Sequence, residues 1–470
     1  MASASISSSN GPLDVQGMVS QLMTAAKQPL NRMNSQLQTD NTKISDYGAV
    51  SSDLTTLQSA LTPLSSGAFI NTLKAASSNS NVLNAAASNA ANAGQYNVDV
   101  NALASSQNLA YAGQADENAD LGNLDSTLTF TFGSGSTSTV HIAADASLDS
   151  IATAINAAGI GVAASVVKAG SNAAPYRLVL TGTNVGSGQA FSTSVATNPS
   201  IDTTQVAPAS LGALSFLDFD VSSAVDTSSG TVIDKRLTAQ AQDANLTVNG
   251  LTMTNTSNTV DNAIRGVTMN LTQSGSTVLT IDRDMDAIQA QVQNFVTSYN
   301  KVIGDATALY GGPLQGDFNL VQLQTTFNSL LQTPISSADG TSRVAYLAQV
   351  GVSLQKDGTL SLDSTALKQA IAANAPAVAD VFGNTTGDGF AQRFNQAINN
   401  LLGPQGLVTT RVNSLNKMVG DQKDAISREN TRLDTQQQGY MEQYSNLNSA
   451  LEKMQKTSSS LQSMLKASGG

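Results

Sequence analysis

The side chains that most often carry catalysis or hold metals are nearly missing from this chain, which has one histidine, His141, and no cysteine. Thiol catalysis, disulfide frameworks, cysteine-ligated zinc and iron–sulfur clusters are therefore excluded. A Ser/His/Asp relay would have to run through His141, and no G-x-S-x-G elbow surrounds any serine. His141 ends an expected strand in TVHIAAD with no second histidine to share a metal, so it reads as an ordinary surface or edge residue. In GIGVAA, Gly159, Gly161 and Ala164 imitate a dinucleotide fingerprint, but they follow a helical pattern where the fingerprint must follow a strand. Asp282, Asp284 and Asp286 alternate like the start of a calcium loop. The turn glycine of such a loop is replaced by Ala287 and its closing glutamate by Gln293, so these acids read as a helix N-cap and its favourable charge. Asp357-Gly358 with Asp363 reads as a hairpin turn between Val352–Leu354 and Thr359–Leu362. Paired carboxylates have no fixed spacing and stay open as chemistry, but scarce aromatics argue against a sugar cleft. No enzyme, cofactor or metal site is expected.

Composition points the same way. At roughly 100 to 200 residues per domain, 470 residues should hold about three domains. Charged residues are 12% and aromatics 4%, and the net charge is −11, which disfavours a nucleic-acid partner because phosphates need clustered cations. The acidity is local: residues 75–285 carry 6 basic and 16 acidic side chains, whereas residues 1–74 carry 4 of each and residues 411–470 carry 8 and 6. An acidic middle rich in Ser, Thr, Gly and Asn is a solvent-facing body. No apolar run reaches 18 residues, so no membrane insertion is expected. The opening MASASISSSNGPLDVQGM lacks the basic start and apolar core of a Sec signal. Absence of cysteine fits either a cytosolic protein or one exported unfolded by another route.

What remains is periodicity. Leu30, Met33, Leu37, Ile44, Tyr47, Leu54 and Leu61 keep coiled-coil spacing, broken at Asp40, Ser51 and Gln58. Pro63 and Gly67 should end that helix, and Leu13, Val15, Met18, Val19, Leu22 and Met23 form a shorter amphipathic stretch before Pro29. At the other end Val412, Val419, Ile426, Leu433, Tyr440, Leu447, Met454 and Leu461 recur every seventh residue without a gap. The companion stripe is apolar only at Leu415, Tyr444, Leu451 and Leu465, with Gln422, Glu429 and Gln436 where a tight seam wants leucine. Such a helix needs a partner, and the N-terminal heptads are the nearest. Assembly with other subunits is favoured over purely intramolecular packing because the stripe is longer than one partner would cover.

Between about 76 and 285 the period changes to two. Tyr96, Val98 and Val100 alternate with polar residues, as do Leu128, Phe130 and Phe132; Leu178 and Leu180 flank Val179; Leu246 and Val248 precede the turn pair Asn249-Gly250. One helix interrupts, with Leu148, Ile151, Ala152 and Ile155 between Ser147 and Gly159. Helical spacing returns at Ile288, Val292, Phe295, Val296, Tyr299, Val302 and Ile303. The expected fold is α+β and multidomain: terminal helices forming a coiled coil, with β-rich domains inserted between them.

Several ordered strings carry a resemblance. GPLDVQGMVSQLMTAAKQPLNRM resembles the N-terminal segment of the flagellar filament cap proteins, the capping hook-associated proteins of the FliD family. DANLTVNGLTMTNTSNTVDNAIRGVTMNLTQ, VQNFVTSYNKVI, LAQVGVSLQKDGTLSLDSTALKQAI and a following VFG look like successive parts of that family's C-terminal region. LDSIATAINAAGIGVAASVV and RLVLTG resemble the insertion motif shared by flagellins and hook proteins. The likeness spans nearly the whole chain, weakest over 190–235, and favours a cap over a hook–filament junction protein or a flagellin.

The resemblance implies terminal helical legs (1–40 and 435–470) and a helical coiled-coil domain (41–75 and 286–434). It also implies a β-rich domain (76–115 and 236–285) and an outer β-rich domain carrying the flagellin-type insertion motif (116–235). It implies a secreted structural protein forming a ring-like homo-oligomer at the distal filament tip, where emerging flagellin is helped to fold and insert. The implied partners are flagellin, hook–filament junction proteins and an export chaperone. The assembly face is expected at Leu13, Val15, Met18, Val19, Leu22, Leu433, Tyr440, Leu447, Leu451, Met454, Leu461 and Leu465, with the short N-terminal stretch undocked until assembly. The alternative is an extracellular adhesin that binds host surfaces through residues 76–285.

Overall fold

The structure, a computed structural model, describes residues 13–122, 124–169, 173–197, 214–221, 235–336 and 344–468. It divides into two units: one combines the chain up to Ile70 with everything from Met285 onward, and the other is Asn71–Asp284.

The chain enters the first unit through α1 (Val15–Ala26) and α2 (Gln28–Leu61). Asp14 starts α1, its Oδ1 accepting the Gly17 N–H at 2.9 Å, which satisfies one of the donors a helix start leaves open. Pro29 does not stop the helical path. It sits in the first turn of α2, where its missing N–H costs nothing.

The second unit is antiparallel β. Its first layer is a five-stranded sheet with the order β1, β15, β3, β11, β12 and a three-stranded sheet with the order β13, β14, β2. These strands are β1 (Leu73–Ser77), β2 (Leu83–Ala87), β3 (Gly94–Ala102), β11 (Ala244–Val248), β12 (Leu251–Asn255), β13 (Thr259–Asp261), β14 (Val267–Leu271) and β15 (Gly275–Arg283). Their inward residues, among them Val98, Val100, Leu246, Met269 and Leu279, make one apolar core. Asn249 and Gly250 join β11 to β12 with φ of 46° and 86°, the left-handed pair a two-residue hairpin requires.

A second core gathers Leu109, Tyr111, Phe130, Ile151, Leu178 and Phe191. It is enclosed by β4 (Asn108–Tyr111), β5 (Ser126–Phe132), β6 (Thr137–Ile142), α3 (Leu148–Ala158), β7 (Val162–Lys168), β8 (Tyr176–Gly182), β9 (Phe191–Thr197) and β10 (Lys235–Ala239). Ser147 caps α3, and Gly159 ends it at φ 59°. GIGVAA is therefore a helix-to-strand connection, with β7 starting at Val162.

Back in the first unit the chain forms α4 (Met285–Gly311), α5 (Phe318–Gln332), the hairpin β16 (Val352–Leu354) and β17 (Leu360–Leu362), α6 (Ser364–Phe382), α7 (Phe390–Leu402) and α8 (Leu407–Ser468). Asp363 caps α6, which kinks at Asn374 ahead of Pro376. The helices bury an aromatic nucleus in which Phe394 lies 5.1 Å from Phe327, 5.9 Å from Tyr299 and 6.0 Å from Phe295 between ring centroids. Leu54, Leu57 and Leu61 of α2 close over it.

One expectation needs correction. Asp282 is not part of a helix cap: it lies in β15 opposite Lys74, and only Asp286 falls in the first turn of α4. The strand continues to Arg283, so Asp282 belongs to the strand and Asp284 to the junction just before α4.

Candidate docking leg

His141 projects from β6 with most of its side chain in solvent, 3.9 Å from Asp125. Among the described residues no group of three or more His, Cys, Asp or Glu side chains is placed to hold a metal, and no helix is long and apolar enough to cross a membrane. The distinctive feature of the first unit is α8, whose 62 residues amount to about 93 Å at 1.5 Å per residue.

Cross-helix contacts show that α8 runs antiparallel to α1 and α2. Asp40 bonds to Gln422, and Leu13 bonds to Asn448. Near its start α8 belongs to the aromatic body, with Val408 and Leu415 in the core and Arg411 paired to Asp317 at 3.0 Å.

One layer further out the seam turns polar. Asp40 is fully buried. It accepts hydrogen bonds from Gln422 Nε2 at 2.7 Å and from Gln36 Nε2 at 3.2 Å, and Lys43 Nζ stands 3.4 Å away. Burial works to raise the carboxyl's pKa, but the bonds from Gln36 and Gln422 and the lysine charge outweigh it and hold the group below the ordinary carboxylate value.

Beyond this layer a small separate cluster forms, with Val15, Val19 and Met23 of α1 packed on Leu433 of α8 and edged by Leu13, Leu30, Tyr440 and Tyr444. Asn448, also buried, accepts the Leu13 N–H at 3.1 Å and closes the far end. From Leu447 outward the described residues leave the α8 stripe exposed: Leu447 is 47% exposed, Met454 68% and Leu461 55%.

The expected assembly residues thus divide. Leu13, Val15, Val19, Leu433 and Tyr440 meet in the α1–α8 cluster. Met18 and Leu451 are half-buried outside it, and Leu22, Leu447, Met454, Leu461 and Leu465 are exposed. The N-terminal stretch expected to stay undocked is packed within the single chain as α1, because Leu433 and its neighbours give its apolar face a partner. Sequence reasoning missed Met23 as a site residue although it continues the Val15–Val19 face at helical spacing. It also missed Asn448, which lies off the heptad stripe and carries no local signal.

Helical ends that pack on each other, an inserted β unit and an apolar helix face left exposed by the described residues are features of a structural protein. Comparison with known proteins gives the class its name. Sequence models of flagellar hook-associated protein 2 match at residues 12–107 for its N-terminus and 241–456 for its C-terminus, and the flagellin hook IN motif matches at 127–184. The B-type flagellar hook-associated protein 2 of Pseudomonas aeruginosa is 32% identical over 89% of this chain and 88% of its own. Flagellar hook-associated protein 2 of Escherichia coli K12 is 29% identical over 98% of both. The crystal structure of the flagellar cap protein FliD D1-D2-D3 domains from Escherichia coli superposes with a TM-score of 0.61 at 30% identity, covering 79% of this chain and 99% of that one. The chain belongs to the FliD family, flagellar hook-associated protein 2, and has that family's structural role as a flagellar cap. An adhesin finds no support among these relatives.

Proposed function

We propose that the protein caps the distal end of the flagellar filament as a ring-like homo-oligomer, where it promotes folding and insertion of flagellin subunits arriving there. It reaches that place as a secreted protein, exported unfolded and held beforehand by an export chaperone. Its legs contact flagellin and the hook–filament junction proteins. In this reading the helical unit divides into legs (1–40 and 435–470) and a coiled-coil domain (41–75 and 286–434). The β unit divides into an inner part (76–115 and 236–285) and an outer part (116–235).

The observation that carries the proposal is the uncovered face of α8. From Leu447 to Leu461 the stripe extends about 21 Å at helical rise with Leu447, Met454 and Leu461 exposed. A helix that keeps apolar heptads where the described residues of its own chain supply no partner offers them to another subunit. Capping in this sense is promotion of polymerisation by non-covalent contacts.

The test is complementation of a strain lacking its own cap with the double variant Leu447→Asp, Met454→Asp. Both positions are exposed in the single chain, so the variant should fold and be secreted while filaments fail to grow and flagellin escapes into the medium. Normal motility with flagellin retained on the cell would overturn the docking role.

A further inference from the structure

We propose that the buried Asp40–Gln422 pair is a specificity determinant of the leg: it locks α2 to its own chain's α8 in one alignment. The inference goes beyond capping and holds whatever the exposed tip of α8 contacts.

Taken alone, each residue looks like a defect in its heptads. Asp40 occupies the stripe Met33, Asp40, Tyr47, Leu54, Leu61, and Gln422 the stripe Val408, Leu415, Gln422, Glu429. In space the two defects face each other at 2.7 Å. Stability alone does not explain them, since Gln422 Oε1 is buried with no hydrogen-bond partner and burying a carboxylate carries a desolvation cost that an apolar layer would avoid. The best attested use of such a layer is to choose register and partner.

The neighbouring positions show how it chooses. Sliding α8 by one heptad, about 10 Å, sets Asp40 against Leu415 in one direction and Glu429 in the other. The first leaves a buried carboxylate facing a leucine, and the second sets it against a like charge. Exchange of α2 or α8 for another apolar heptad helix has the same consequence, because Gln36 and Lys43 travel with Asp40 but only a donor on the facing helix replaces the 2.7 Å bond from Gln422. The body holds the two helices through Tyr47 and Leu415; beyond that level α2 meets α8 through the Asp40–Gln422 bond, and the next contacts outward are the α1 cluster on Leu433 and the Leu13–Asn448 bond.

The natural chain has no cysteine, so disulfide reporters can be placed at will in the full-length protein. Leu37→Cys with Ala425→Cys, three residues before Asp40 and three after Gln422, reports the native register. Leu37→Cys with Met418→Cys or with Arg432→Cys reports the two slips. With Asp40 and Gln422 present, only the native pair should cross-link, within one chain. In the background Asp40→Leu, Gln422→Leu, slipped and interchain products should rise at least about ten-fold, while helix content is kept. Asp40→Asn, which keeps an acceptor for Gln422, should retain the single register. Native-only cross-links in the double leucine background, or mixed registers in Asp40→Asn, would overturn the proposal.

Discussion

Leu433 is the α8 side chain on which α1 depends. It is 2% exposed and packs against Val15, Val19 and Met23, the other three buried members of its cluster. Replacing it with alanine removes most of the α8 side of that contact. The cost should lie near the low end of the buried leucine range, about 2–3 kcal/mol, because so small a cluster can partly collapse into the space. At 12 residues α1 is too short to remain helical unaided, so the loss should appear as local opening. At 1.4 kcal/mol per decade, about 2–3 kcal/mol corresponds to roughly 30- to 150-fold. Hydrogen exchange read by mass spectrometry on the full-length chain measures this directly. Peptides from Val15–Ala26 in Leu433→Ala should exchange faster by about that factor. Peptides from α4, which contributes Phe295 and Tyr299 to the separate aromatic core, should be unchanged. Unaltered protection of α1 would refute the dependence, and equal acceleration in α4 would show that leg and body open as one.

Three further outcomes follow from the same structure. Asp388 accepts the Ser336 N–H at 2.6 Å and pairs with Arg393 at 2.6 Å. Burial opposes its ionisation, but these bonds outweigh burial and hold its pKa below the ordinary 3.8. A lowered folded pKa means stability fully present above the unfolded value and lost as pH falls through the folded one. Asp388→Asn should therefore cost about 1.5–3 kcal/mol at neutral pH in a urea titration and flatten the acid side of the profile below about pH 4. Tyr299 buries its hydroxyl without a hydrogen-bond partner, so Tyr299→Phe should be neutral or stabilising by about 1 kcal/mol in thermal unfolding. Ser105 and Gln242 exchange backbone hydrogen bonds at 3.0 and 3.2 Å, so replacing residues 107–239 by a short Gly/Ser link should leave the β3–β11–β15 sheet folded by circular dichroism. Wholesale collapse would show that the two β cores are not separable.

The sequence made legible whatever is governed by local period. The unbroken stripe from Val412 to Leu461, the alternation around Val98 and Phe130, the turn at Asn249-Gly250 and the cap pair Ser147 and Gly159 each depend on residues within a few positions of one another. What it hid depends on residues far apart. Asp40 and Gln422 are separated by 382 positions, so two interruptions that answer each other looked like unrelated weaknesses. The packing of α1 on α8 was hidden for the same reason, since Leu13 and Asn448 meet across 435 positions. The Asp282–Asp286 series misled because alternation of one residue type suits the end of a strand as well as the start of a helix.

The layering along α8 accounts for one helix being both anchor and probe. At Val408 and Leu415 it is fixed in a core of phenylalanines and leucines, at Gln422 it meets a hydrogen-bonded polar layer, and at Leu433 it has a small apolar cluster. Beyond Asn448 the described residues leave Met454 and Leu461 exposed. Each step outward leaves fewer buried side chains to oppose the entropy of fraying, so local stability falls toward the tip. A uniformly buried helix would have no face to offer a partner, and a uniformly exposed one of this composition would not stay helical. Grading the burial resolves the conflict. The base keeps the helix formed, the polar layer meets its own α2, and the tip keeps Met454 and Leu461 exposed.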